Sequence, residues 1–313
     1  MFKRALCLIF VALTLVSMLC GCSGKPDSTE PTPSNILANA MQKSDPSQDE
    51  DLNILMIGNS FCYYYVEELY GLLTAAGYKN VNVCNVYYSG CTLEQHWTWW
   101  KNNESNYEFY TTNSTGRNCV KGTNLKYCLE QRNWDVISLQ ESSTKSRQSG
   151  AGYLTLAETY LTDLWGYIKE QFPLSRHLWQ QIWCYEIGHN RNGIVIETFD
   201  QQVTDTNNIR AFSLAVCEKY DLENVPSGEA WQIVRQDGYD KLCARLAVNN
   251  GEGDYYHDGD IGGGQYLNAC VWFETITGES CIGNTYRPKE YQLDDKLIET
   301  FQSAAHQATE NAK

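Results

Sequence analysis

Apolar and polar positions along this chain alternate between two periods. Asn53-Ile54-Leu55-Met56-Ile57 is a short, β-prone, nearly unbroken apolar run. That is how a strand buried on both faces of a parallel sheet reads. Gly58 and Asn59 end it, since both tolerate backbone conformations that bulkier residues avoid. From Tyr64 the period lengthens. Val66, Leu69, Tyr70, Leu72 and Leu73 predict a helix to about Ala76, stopped by Gly77. Residues 81–87 alternate as a second strand and lead through Tyr88-Ser89-Gly90-Cys91 into another helix. Residues 135–139 predict a third strand, 177–185 a fourth and 221–226 a short fifth. Helices are expected over 153–172, 196–220, 239–246, 265–277 and about 290–308. Strands alternating with helices predict a doubly wound, three-layer α/β/α domain over 52–313 with a mostly parallel sheet of about five strands. The stretch around 96–127 breaks the alternation. It sets Trp97, Trp99, Trp100, Tyr107, Phe109 and Tyr110 among polar residues. It reads as an insertion or lid, whose aromatics either cover a sheet edge or offer a platform for a sugar ring.

In a doubly wound sheet the site lies at the carboxyl ends of the strands. The turns there are Gly58-Asn59-Ser60, Ser89-Gly90, Gln140-Glu141, Glu186 to His189 and Ser227 to Glu229. Ser60 is expected on a tight strand-to-helix turn with a helix amino terminus close behind. A hydroxyl there can act as a nucleophile beside free N–H donors. Its base would be a histidine, and the chain has five. His306 falls in a polar terminal helix, His177 opens a strand and His96 lies in the aromatic insertion, where surface packing is the default. His189 at a strand end is a minor contender. His257 is best placed, in Asp254-Tyr255-Tyr256-His257. A carboxylate three residues before a histidine can turn back onto its ring Nδ1–H, fixing the tautomer and stabilising the imidazolium. Asp254, Asp258 and Asp260 also offer oxygen ligands, but this run lacks the spacing and closing Glu of an EF-hand. No cysteine pair has C-x-x-C spacing, so no metal site is expected.

Together these blocks resemble the SGNH (GDSL-type) hydrolases. Gly58-Asn59-Ser60 resembles the block that supplies the nucleophile, with Asn in place of Asp. Gly90 resembles the second block, and Asp254 with His257 the terminal Asp-x-x-His block. The resemblance implies a flavodoxin-like fold, a Ser60–His257–Asp254 triad and an oxyanion hole from the Ser60 and Gly90 N–H groups. The family's third block normally supplies an Asn donor. Here the strand ends Gln140-Glu141, so the Gln140 amide would substitute on a longer arm. Asn59, Glu141, Trp97 and Trp100 are candidates for contact with substrate. The implied activity is a cofactor-independent serine esterase acting by acyl transfer on a small-molecule or glycan ester, acetyl foremost. The competing reading is a non-catalytic surface lipoprotein that binds glycan with a degenerate hydrolase fold.

The amino-terminal stretch adds where this would happen. Met1-Phe2-Lys3-Arg4 precedes an apolar run from Ala5 to Leu19, then Leu19-Cys20-Gly21-Cys22. Basic residues before a short apolar run mark a signal peptide, and the Cys-containing end resembles a bacterial lipobox. A lipoprotein signal over 1–21, lipidation of Cys22 and a flexible polar tether over 22–51 are expected. The protein would be exported and lipid-anchored at the bacterial cell surface, touching membrane only through that anchor. The formal net charge of −14 argues against nucleic acid as a partner. Export permits disulfides, and Cys84 with Cys91 or Cys119 with Cys128 are the pairs to test. Cys62, Cys184, Cys217 and Cys270 read as small buried hydrophobes. Oligomeric state is not readable.

Overall fold

The computed structural model describes residues 50–147 and 150–313. The signal peptide, Cys22 and nearly all of the tether lie outside the described residues. In chain order the main elements are β1 (Asp51–Gly58), α1 (Val66–Ala75), β2 (Asn80–Tyr87), α2 (Leu93–Asn102), β3 (Tyr107–Asn113), β4 (Gly116–Thr123), α3 (Leu125–Leu129), β5 (Val136–Leu139) and α4 (Ser143–Ser146). Then come α5 (Leu154–Gln171), β6 (Arg176–Gln180), the small hairpin β7 (Asn190–Arg191) and β8 (Ile194–Val195), and α6 (Phe199–Tyr220). Last are β9 (Glu223–Val225), α7 (Ser227–Gln236), α8 (Gly264–Thr277) and α9 (Asp295–Ala312).

The main sheet has seven strands in the order β4-β3-β2-β1-β5-β6-β9. From β2 to β9 all pairings are parallel. Counted alone, those five strands run in the flavodoxin-like order, which reverses between β1 and β5. β1 shows why its sequence reads as a continuous apolar run. Leu52, Ile54 and Met56 pack into the core under α1 and α8, while Leu55 and Ile57 pack into the one under α2 and α5.

Three expectations need correction. The aromatic stretch is no lid: after α2 it forms the β3–β4 hairpin, which pairs antiparallel on β2 and lengthens the sheet from five strands to seven. The fourth strand stops at Gln180, not Tyr185. Its neighbour β9 ends at Val225, where Gln181 N makes the last bond, and the chain then turns inward so that Trp183 stacks on Trp231 at 4.6 Å. Residues 239–246 form turns, not a helix. The carbonyl of Leu242 accepts from Gly259 and Gly264, and that of Ala244 accepts from Gly262, so this backbone is committed to the glycine-rich loop that carries His257. The ten cysteines from Cys62 onward are all free thiols. Cys119 faces outward on β4 while Cys128 is buried beside Thr123, which separates that pair. Cys84 in β2 instead contacts Thr111, and Cys91 the carbonyl of Thr92.

Candidate active site

Ser60 leaves the end of β1 in a single 3-10 turn, Ser60–Cys62, capped by Asn59, whose Oδ1 accepts from Phe61 N at 3.1 Å. α1 begins only at Val66, so the helix amino terminus expected close behind Ser60 is one 3-10 turn and a bend away. Ser60 is 7% exposed. Among the described residues neither its hydroxyl nor its backbone N–H makes a hydrogen bond. Tyr88 to Cys91 form a turn closed by Cys91 N onto Tyr88 O, with Gly90 at φ +67. An L side chain is disfavoured there, and the Gly90 N–H is likewise unbonded among the described residues. Asn59 ties the two turns together, because its Nδ2 donates to Cys91 O at 2.9 Å.

Asp254 and His257 form a local unit. Asp254 Oδ1 accepts from the backbone N–H groups of Tyr256 and His257, at 3.3 and 2.9 Å, and Oδ2 takes the His257 ring at Nδ1. Tyr255 enters the left-handed region at φ +66 to make this turn. The loop is pinned from outside by Glu186 N on Tyr255 O and by Trp183 Nε1 on Tyr256 O. The imidazole stands beside the Ser60 turn, with ring centroids 6.0 Å from Phe61 and 5.2 Å from Tyr64. No hydrogen bond joins Ser60 to His257 among the described residues. Burial lowers the His257 pKa from its ordinary value, and the Asp254 contact offsets only part of that. For Asp254, burial works to raise the pKa, but the bonds and charge of His257, with Arg245 behind them, prevail and hold it at about 2. At neutral pH the pair is therefore a neutral imidazole on an ionised carboxylate, with its Nε2 available to take a proton.

The third block is arranged differently from expectation. Gln140 is 1% exposed and its Nε2 donates to Asn59 Oδ1 at 2.6 Å. Its Oε1 is buried with no partner among the described residues. The amide thus buttresses Asn59, and the N–H groups of Ser60 and Gly90 are left open among the described residues. Asn59 itself is buried with both amide atoms bonded inside the protein, so it does not face substrate. Glu141 is equally buried. Its Oε1 accepts from Leu93 N, the first residue of α2, and from Ser142 N, while Oε2 accepts from Tyr153. It is a clamp between elements, not a substrate contact. Trp97 and Trp100 point along the seam between α2 and α5. Trp97 Nε1 bonds Asp163, and the two indoles lie against Tyr160 and Tyr167. They sit one and two turns into a helix that leads away from the sheet ends, so the platform reading fails for both.

His96 is fully buried with Nδ1 on Tyr107, correcting its surface placement. His189 is also buried, on the ring of Tyr185. The three acidic residues of the His257 loop diverge. Asp254 serves the ring, Asp260 caps Leu246 and Ile261, and Asp258 is fully buried. Among the described residues no group of three or more His, Cys, Asp or Glu can hold a metal ion.

Two neighbours escaped the sequence reading. Tyr64 flanks the imidazole and carries the Arg245 guanidinium at 4.1 Å above its ring. Its signal was visible in Tyr63-Tyr64-Tyr65, which starts three residues after Ser60. Arg245 also donates to the Asp258 carbonyl at 3.0 Å. Nothing in its local sequence announces that role.

The sheet has the flavodoxin-like order of a doubly wound α/β protein, and a serine and an Asp-held histidine on a late loop lie together at its switch point. Residues 53–308 match the family described as a domain of unknown function, DUF4886, and the chain belongs to that family. A solved DUF4886 family protein from Bacteroides uniformis is 27% identical, with a TM-score of 0.71 over 83% of this chain and 95% of that one. Weaker likenesses include an acetyl xylan esterase, 10% identical with a TM-score of 0.44 over 72% of this chain and all (100%) of that one. An extracellular lipase from Streptomyces rimosus is 11% identical, with a TM-score of 0.38 over 72% and 99% of the two chains. Among curated proteins none matches.

Proposed function

We propose that the protein is a serine esterase that removes acetyl or other short acyl groups from carbohydrates outside the cell. The observation that carries this reading is the His257 ring, held at Nδ1 by Asp254 and set beside the Ser60 turn. The imidazole takes the Ser60 proton as the oxygen attacks the ester carbonyl. The N–H groups of Ser60 and Gly90 receive the oxyanion. The imidazolium then protonates the departing alcohol, and water releases the acid through the same histidine. Catalytic hydrogen bonds are often long before substrate binds, so the Ser60–His257 contact is expected to close in the complex. With Gln140 engaged by Asn59, the hole has two backbone donors; a missing third donor typically lowers kcat by roughly a hundredfold or more. Slow turnover is therefore expected.

That same engagement favours the second reading, a glycan-binding lipoprotein without activity. One experiment separates them. A fluorophosphonate probe should label the wild-type protein, and Ser60→Ala should abolish the label. A wild type that stays unlabelled while folded sinks the esterase reading. Acetate release from acetylated glycans, with other esters left intact, tests the acyl and alcohol specificity. Export and lipid anchoring rest on the leader sequence and are tested by metabolic labelling with a palmitate analogue, lost in Cys22→Ala.

A further inference from the structure

A cleft of about 720 Å³ opens beside the candidate site. One wall is α1, from Glu67 to Ala75. The second is the turn between β3 and β4, with Arg117. The third is the irregular segment before α9, with Tyr286, Lys289 and Tyr291. Tyr64 also lines the cleft, and its ring flanks His257 at 5.2 Å. The walls are fixed in advance. Arg117 donates to the Tyr63 carbonyl at 3.0 Å, Asn284 to the Leu72 carbonyl at 3.0 Å, and Tyr291 to buried Glu68 at 2.9 Å. Gly71 lets the Tyr286 ring lie directly on the α1 backbone, since a Cβ there would come within 2.1 Å of that ring.

We propose that this cleft binds the sugar chain on the alcohol side of the ester, and that the chain is a neutral oligosaccharide. The inference rests on the esterase reading for the direction of the chain. His257 must hand a proton to the leaving alcohol, so the alcohol lies on the imidazole side of Ser60. The ring that borders that imidazole, Tyr64, also lines the cleft. Its volume lies in the range of whole-ligand pockets and far exceeds what an acetyl group needs. Tyr64, Tyr70 and Tyr286 line it with aromatic surface suited to the apolar sides of sugar rings, and Gln265, Thr74 and Arg117 line it with polar side chains suited to hydroxyls. From Glu67 to Ala75 the helical wall runs about 12 Å, enough for more than one ring. Glu67, Asp260 and Glu290 outnumber Arg117 and Lys289 around it, which disfavours an anionic glycan.

The test uses the full protein with Ser60→Ala, so that nothing is hydrolysed. Neutral xylo- and manno-oligosaccharides from disaccharide to hexasaccharide are titrated by calorimetry and ligand-observed NMR. Binding that tightens with chain length is expected. It should be lost when Ala75→Trp fills the exposed far end of the cleft, and weakened when Tyr286→Ala removes the stacking ring, with thermal melting confirming that each variant folds. In the active enzyme, Ala75→Trp should raise KM for acetylated oligosaccharide about tenfold relative to KM for 4-nitrophenyl acetate, the equivalent of one lost ring contact. An active esterase that shows no oligosaccharide binding and the same KM ratio in both forms overturns the cleft and spares the esterase. An inactive wild type that binds oligosaccharide in the cleft supports the cleft and sinks the esterase.

Discussion

Asp254 is the residue whose removal separates geometry from chemistry. It holds the backbone of Tyr256 and His257 through one oxygen and the imidazole through the other. Asp254→Asn keeps the size but offers the ring the wrong partner, and kcat for ester hydrolysis should fall by on the order of 10³- to 10⁴-fold with KM little changed. In the proposed esterase the histidine also sets the pH profile. Burial lowers its pKa below the ordinary 6.5, and only its neutral form is a base. Log kcat/KM should therefore be flat through neutrality and fall on the acid side with a midpoint below 6.5. A midpoint at or above that value would contradict the buried, partly compensated ring. At Gly58 a Cβ would lie 2.6 Å from Gln140 Cγ. Gly58→Ala should push the Gln140 amide off Asn59 and lower stability by about 1–3 kcal/mol in urea denaturation.

Elements meet at the site through buried clamps that no local pattern predicts. Glu141, two residues past the end of β5, stops the first N–H of α2 from being orphaned and fastens Tyr153 ahead of α5. Glu141→Ala leaves the Leu93 and Ser142 N–H groups buried without that partner. Each such group typically costs about 1–3 kcal/mol, so a loss of several kcal/mol is expected by chemical denaturation, with the seam between α2 and α5 loosened. Trp97 and Trp100 strengthen that same seam. Trp97→Ala should lower stability while leaving KM for any glycan ester unchanged, since the indole bonds Asp163 and lies on Tyr160.

Across the whole molecule, buried acids decide how stability follows pH. Burial raises Glu68, Glu141 and Glu186 to about 7 and Asp258 to about 8. Each holds its proton more tightly folded than unfolded, so the folded state binds more protons between the ordinary carboxyl range and pH 8. Stability therefore falls as pH rises through that window. Asp254 works in the opposite sense, contributing above its ordinary 3.8 and losing that contribution as pH falls toward 2. The melting temperature should peak in mild acid, near pH 5, and decline steadily to pH 8, whereas the proposed esterase activity should be highest toward the upper end of that range. A melting temperature that rises from pH 5 to 8 would show these carboxyls to be ionised in the folded protein.

The sequence by itself determined what short range decides. The β1 run, the break at Gly58-Asn59-Ser60, the Gly90 turn and the Asp254–His257 contact are all set within a few residues, where a side chain meets its partner whatever the distant chain does. The parallel α/β/α layering was legible too, because the alternation of strand and helix periods leaves few other ways to bury both sheet faces. The tertiary structure alone decided the rest. Gln140 finds Asn59 across 81 residues and Glu141 finds Leu93 across 48. The aromatic stretch became two sheet strands because β2 offered a free edge. Residues 239–246 stayed unwound because their carbonyls bind the distant glycine loop. Such choices depend on which surfaces the folded chain brings together, and neither period nor spacing records that.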